Sequence, residues 1–439
     1  MKKMKSKWVL VLIGLITYMV GAQTTDDKII QEFLSGQQEV SFKKLSTDNE
    51  YPIKYELKIR QPLDWKNPGK GSFYQKVIYT HTGFNNPVVM ETQGYDMYDR
   101  KNELQQITHS NDINIEHRYF GESVPDSLHF DWKYLNLYNA THDLHHINQI
   151  FKKMYKGKWI STGISKGGQT TIYYRYFFPD DVDVSVPYVA PINYSLEDPR
   201  IYKFLDEVGT SECRQKIKDF QTYMFSNEEE AVKYIKVYAE VRGLKFDYVG
   251  SIEKAYELAV LEYSFSFWQW GSSCAEIPEN PDIAIAVDYL LKKSNISFFS
   301  DKEIEELEPH YYQAATEMGY YGYNIQPFAS VIRQYRTNPS AVFAPKNAGK
   351  LVYSEKINTG LKKWLETKAD NIIYIYGGID TWSATKVIPS PKTNSILLEI
   401  KGADHATARI NKMNDDLKRK FSNTLEKWLG IQPDFNALK

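Results

Sequence analysis

The 439-residue chain carries 54 Lys and Arg against 55 Asp and Glu, so its net charge of -1 gives no electrostatic case for nucleic acid as a partner. Its 42% hydrophobic and 14% aromatic residues can bury a large core, enough for one big domain with a second inserted in it. Two cysteines do not make a zinc site by themselves.

Residues 1–22 read as a signal peptide. Lys2, Lys3, Lys5 and Lys7 precede an apolar run over 8–20, and Val20-Gly21-Ala22 offers small residues to a signal peptidase. The run is shorter than the ~20 residues that span a bilayer. The mature chain is therefore expected to begin at Gln23, secreted or periplasmic, with no stable membrane association after cleavage. An oxidising compartment predicts a disulfide between Cys213 and Cys274.

The polar stretch from Gln23 to about residue 48 reads as an ordered lead-in. Segments 51–59 and 72–79 alternate apolar with polar residues around Pro62, Pro68 and Gly69, which predicts two antiparallel strands joined by a turn-rich loop. Short β-prone runs at 87–91 and 112–116 lead into loops, as inner strands of a mostly parallel sheet do. Segment 141–155 has helical spacing in Leu144, Ile147, Ile150, Phe151 and Met154. Its His142, His145 and His146 lack the spacing of a zinc motif and read as solvated.

The segment 159–168 then turns from a β-prone run into glycines around one serine. Gly163-Ile164-Ser165-Lys166-Gly167 matches G-x-S-x-G, a sharp strand-to-helix turn that leaves no room for Cβ atoms beside the serine. A glycine-rich turn built for packing or phosphate is the bland alternative. In the functional reading the Lys166 N–H, first in the new helix, is a free donor for an oxyanion. Gly94 and Tyr95, just past the strand at 87–91, are placed to supply the second donor.

A helix follows to Phe178, then a strand over 183–190. From about 193 to 345 the strand–helix alternation gives way to helical periodicity rich in aromatics, Trp268 among them. This predicts an inserted helical cap, and a cap over a site also walls its pocket. Strands at 371–376 and 395–400 lead into loops holding Asp380 and His405, and a helix near 415–429 ends the chain. The expected division is 23–192 and 346–439 for an α/β domain and 193–345 for the cap.

Acyl transfer by serine needs a base for its proton and a carboxylate to orient that base. Asp380 and His405 each follow a strand, and in a parallel sheet those strand ends share one edge with Ser165. The chain order Ser, Asp, His is that of α/β-hydrolases. Asp404 is the rival carboxylate, but adjacent loop side chains diverge, so Asp380 is preferred. No metal and no cofactor is called for.

The runs 116–123 (EHRYFGES), 131–135, 163–168 (GISKGG), 181–191 and 377–382 (GGIDTW) together resemble the secreted bacterial tripeptidyl-aminopeptidase family of serine peptidases. That family is a distant relative of lysosomal Pro-X carboxypeptidase and dipeptidyl peptidase II. The resemblance implies an α/β-hydrolase with a mostly parallel sheet and a helical cap, a Ser165/Asp380/His405 triad, and release of short, proline-related N-terminal peptides from oligopeptides. The family's Asp-Pro-Trp or Asp-Ala-Trp is Asp380-Thr381-Trp382 here.

An aminopeptidase must recognise a terminal ammonium, which calls for a carboxylate near the pocket. Glu116, Glu262 and Glu276 are the candidates. Two other classes share these features: a secreted carboxylesterase or lipase, and a non-catalytic binding module on the same fold. The module would usually lack a triad member, and none is missing here.

Overall fold

The computed structural model describes residues 25–47, 51–98 and 100–438; the expected signal peptide lies outside the described residues. Helix α1 (25–35) buries Ile30 and Leu34, one turn apart on its inner face. Strand β1 (Val40–Lys44) follows, then β2 (Ile53–Pro62) and β3 (Ser72–His81). In β2 the alternation seen in the sequence is the pleat itself: Ile53, Tyr55, Leu57 and Ile59 are buried, with residues between them partly wet.

Strands β4 (Val88–Thr92), β5 (Asn111–Ile115), β6 (Trp159–Ile164), β7 (Val184–Tyr188) and β8 (Ile373–Gly377) are buried along essentially their whole length. Helices α2 (Glu103–Thr108), α3 (Leu137–Lys152) and α4 (Lys166–Phe177) cover them. The last strand is β9 (Ile396–Ile400). Among the described residues, nine strands form one sheet in the order β1-β2-β3-β5-β4-β6-β7-β8-β9. It is antiparallel up to the β3/β5 pair and parallel beyond it. The C-terminal ends of β4, β6, β7, β8 and β9 therefore open on one edge.

Strands β7 and β8 are neighbours in the sheet, with Tyr188 paired to Ile375, yet a long helical insertion separates them along the chain. It comprises α5 (Arg200–Glu207), α6 (Ser211–Ser226), α7 (Glu228–Arg242), α8 (Ile252–Gln269), α9 (Ile283–Lys293) and α10 (Asp301–Gln313). Helix α8 is the axis of this cap, buried from Ala255 to Trp268 except at Ser264. A helix buried on every side in this way belongs in a core. Helix α11 (Lys356–Thr367) returns the chain to the sheet, and α12 (Asp415–Leu429) closes it. Asn414 caps α12 by accepting from the Leu417 N–H at 2.9 Å, and Gly430 ends it at φ 72°.

The lead-in is ordered as expected, as a helix and an edge strand: β1 pairs with β2 from Val40↔Ile59 to Lys44↔Tyr55, a pairing that five alternating residues in a polar stretch do not announce. One expectation is corrected. The α3 histidines are half-buried and bonded rather than solvated. His145 Nδ1 meets Asp181 Oδ2 at 2.7 Å, His146 Nδ1 meets Gln61 Oε1 at 2.8 Å, and His142 Nδ1 lies 2.7 Å from the Tyr138 carbonyl.

Cys213 on α6 and Cys274, just past α8, are joined by a disulfide with their Cα atoms 5.5 Å apart. The bridge closes a separation of 61 residues, for which chain-entropy arithmetic gives about 4 kcal/mol at most. Cys213→Ser/Cys274→Ser is therefore expected to melt well below the parent in thermal circular dichroism. Coincident melting curves would show that the cap does not depend on the bridge.

Candidate active site

Ser165 lies between β6 and α4 at φ 58° and ψ -123°, a region that side chains rarely adopt. Its neighbours show why the flanking residues are glycines. A Cβ on Gly163 would sit 2.3 Å from the Gly167 carbonyl oxygen, and one on Gly167 would sit 2.6 Å from the Thr92 carbonyl oxygen. The turn is held from three sides: Ser165 N–H donates to Tyr188 O (2.9 Å), Gln169 N–H to Ser165 O (2.8 Å), and Thr92 Oγ1 to Gly167 O (2.9 Å).

The loop after β4 packs straight onto this turn, since a Cβ on Gly94 would lie 2.5 Å from Lys166 Cβ. Among the described residues, the backbone N–H groups of Gly94, Tyr95 and Lys166 have no protein acceptor. The Lys166 side chain is buried, with Nζ donating to the Gly94 carbonyl at 2.6 Å and lying over the rings of Phe120 (5.2 Å) and Tyr95 (5.5 Å). Burial pushes its pKa well below the usual lysine range.

Asp380 and His405 meet as the sheet edge predicts. His405 Nδ1 donates to Asp380 Oδ2 at 2.8 Å, and Asp380 is fully buried. Because a carboxylate accepts here, the proton belongs on Nδ1 and Nε2 keeps its lone pair. Asp380 Oδ1 also caps the turn Thr381–Thr385, accepting from the Trp382 N–H at 3.1 Å. Asp404 turns to its own loop, accepting from the N–H groups of Ala406 (2.9 Å) and Thr407 (2.7 Å).

Helix α8 grips both loops. Thr381 Oγ1 donates to Phe265 O at 2.8 Å, His405 N–H donates to Gln269 O at 2.9 Å, and Trp382 packs against Phe265 and Tyr321 of the cap.

A cavity of about 390 Å³ opens beside Ser165, walled by Tyr95 and Lys166 below and by Glu262, Tyr320, Tyr321 and Trp382. Buried polar atoms on its walls have no protein partner among the described residues: Gln169 Nε2, Asn193 Oδ1 and both ring nitrogens of His310. Burial, aided by the Lys166 charge, brings the His310 pKa down to about 3, so its ring is neutral at ordinary pH.

Of the three candidate carboxylates, only Glu262 reaches this cavity. Its Oε2 accepts from Tyr323 (2.8 Å) and Tyr321 (2.9 Å), and its Oε1 from Ser266 (2.9 Å). Burial raises its pKa to about 7 against those bonds. Glu116 is a structural brace, accepting from Ser123 Oγ (2.7 Å) and the N–H groups of Glu122 (2.9 Å) and Met97 (3.3 Å). Glu276 is paired with Lys293 at 2.6 Å on the surface. Trp268 walls a second cap cavity of about 320 Å³ instead.

Sequence reasoning missed Gln169, Asn193 and His310. Gln169 was within reach, one helical turn after Ser165; nothing local marks the other two.

The sequence profile of the family described as PS-10 peptidase S37 matches residues 40–436. A prolyl tri/tetrapeptidyl aminopeptidase from Streptomyces mobaraensis is 30% identical over 389 residues, covering 86% of this chain and 80% of that protein. Among solved structures, a prohormone-processing carboxypeptidase from Saccharomyces cerevisiae aligns with a TM-score of 0.42 at 12% identity, over 85% of this chain and 92% of that one. A proline iminopeptidase from Mycobacterium smegmatis aligns at 0.38 and 12%, over 85% and 97%. The profile and the Streptomyces relative carry the assignment: the chain belongs to the peptidase S37 family and is a serine peptidase of α/β-hydrolase fold.

Proposed function

We propose that this chain is an exported exopeptidase that releases tri- or tetrapeptides from the N-terminus of oligopeptides, with a preference for proline at the cut. The name of the Streptomyces relative supports the substrate class, and the observation that carries it here is the cavity wall. A pocket for long acyl chains has no use for buried unpaired donors and acceptors, each of which costs roughly 1–3 kcal/mol when left unmet. A peptide main chain meets them.

In this reading Ser165 Oγ attacks the scissile carbonyl and His405 Nε2 takes its proton. Asp380 holds the imidazolium that forms, and the N–H groups of Lys166 and of the Gly94–Tyr95 loop receive the oxyanion. His405 then returns the proton to the departing amine, and water releases the acyl peptide by the same steps. Glu262 takes the substrate ammonium, and segment 193–345 serves as the cap domain that limits entry to a chain end. Residues 1–22 direct export.

Ser165→Ala is expected to lose peptide hydrolysis by on the order of 10⁴-fold or more and to lose fluorophosphonate labelling. Full activity in this variant would refute the nucleophile. Asp380→Asn should stay folded and lose most of kcat, whereas Asp404→Asn should not; the reverse pattern would overturn the carboxylate assignment.

Glu262 binds ammonium only when ionised, so kcat/KM for free-amine peptides should rise as pH climbs through about 7. Glu262→Gln should remove that component and lower kcat/KM for free-amine peptides about 30-fold or more, as loss of one partner of a buried ion pair does. N-acetylated peptides should not feel the change. Equal effects on both substrate types would place the ammonium elsewhere, and a preference for acyl esters over peptides would favour the esterase reading.

A further inference from the structure

We propose that the Lys166 side chain is a positioning residue that aims the Tyr95 N–H into the oxyanion hole. The inference rests on the reading of Ser165 as nucleophile. It starts from a covalent constraint: the Gly94–Tyr95 peptide is trans, as are all peptide bonds among the described residues. The Gly94 C=O and the Tyr95 N–H therefore point to opposite edges of one plane.

Lys166 Nζ holds the Gly94 oxygen at 2.6 Å. The next carbonyl is fixed too, because Tyr95 O accepts from the His117 N–H at 3.2 Å. The Tyr95 N–H between these two pinned carbonyls has no protein acceptor among the described residues, and Tyr95 shares the cavity wall with Ser165. One residue thus contributes to both halves of the hole, its own backbone N–H directly and the second donor through its side chain.

The setting favours such a role. Gly94 sits against the turn so closely that a Cβ there would be 2.5 Å from Lys166 Cβ and 2.7 Å from the Gly167 nitrogen. Among the described residues the buried Nζ has no carboxylate partner: the Gly94 carbonyl and the rings of Phe120 and Tyr95 are what it meets. A buried lysine tolerated at such cost is better explained by a geometric task than by stability. Preorganised donors matter because they need no reorientation when charge develops on the oxygen.

The test compares three quantities in the parent and in Lys166→Met. They are kcat and KM on a tripeptidyl p-nitroanilide, the affinity of the matching tripeptide aldehyde, whose adduct with Ser165 places an oxygen in the hole, and the affinity of the free tripeptide product. Methionine fills similar volume and removes a buried polar terminus, so the fold should persist; if it melts below the assay temperature, Lys166→Leu, which also lacks a donor for the Gly94 carbonyl, reads the same comparison. The expected result is a fall in kcat and in aldehyde affinity on the order of 10²-fold, with KM and product affinity nearly unchanged. Unchanged aldehyde affinity, or equal weakening of aldehyde and product, would overturn the positioning role. A parent enzyme that binds aldehyde no better than product would instead refute Ser165 as nucleophile.

Discussion

The backbone of Ser165 is the constraint on which the rest of the site depends. A residue with a side chain held at φ 58° and ψ -123° costs roughly 1–3 kcal/mol, and such a conformation persists only where the surroundings over-determine it. Here they do. The Ser165 N–H is tied to β7, its carbonyl to the first turn of α4, and Gly167 to Thr92 at the end of β4. The sheet order β4-β6-β7 puts those anchors on either side of the turn. Glycine at 163 and 167 follows from the same packing, since any Cβ would enter a neighbouring carbonyl.

The second dependence runs through α8. Its C-terminal turns hold the Asp380 loop through Phe265 O and the His405 loop through Gln269 O, while Glu262, one turn earlier, faces the cavity. The Asp380 and His405 loops belong to the sheet by chain order but are fastened to the cap. A disturbance of the cap core therefore reaches the His405–Asp380 pair directly, with Trp382 seated among Phe265, Tyr320 and Tyr321 as the wedge between the two parts.

Much of this was legible in the residues. Alternation in 51–59 and 72–79, unbroken apolar runs in the inner strands, and the glycines around Ser165 each report one local physical demand, and local demands are what a sequence displays. The return of strand patterning after residue 371 likewise announced where the sheet resumes. Edge strand β1 was invisible because five residues exposed on one side carry little pattern. Which of the candidate glutamates faces the cavity was invisible for another reason. Glu257 and Glu262 both lie buried on α8, yet Glu257 accepts from the backbone of Arg333, Gln334 and Tyr335, while Glu262, among the described residues, meets only hydroxyls beside an open cavity. The partners that settle Glu257 lie 76 to 78 residues further along the chain, a distance about which helix periodicity says nothing.

In the proposed reading the cavity also bears on how an open sheet edge becomes a site for chain ends. A carboxylate taken out of water and given three hydroxyl donors sits at about pH 7 between its two forms, so in that reading an arriving ammonium tips it to the charged one. The unpaired atoms of Gln169, Asn193 and His310 stand in the same relation to a peptide main chain: unmet by the protein itself, satisfied by a ligand that presents both N–H and C=O. An acyl chain satisfies none of them, and an internal stretch of a longer peptide supplies no ammonium to Glu262. In the proposed reading, discrimination against both therefore comes less from attractive contact than from the polar groups that the wrong ligand would leave buried and unmatched.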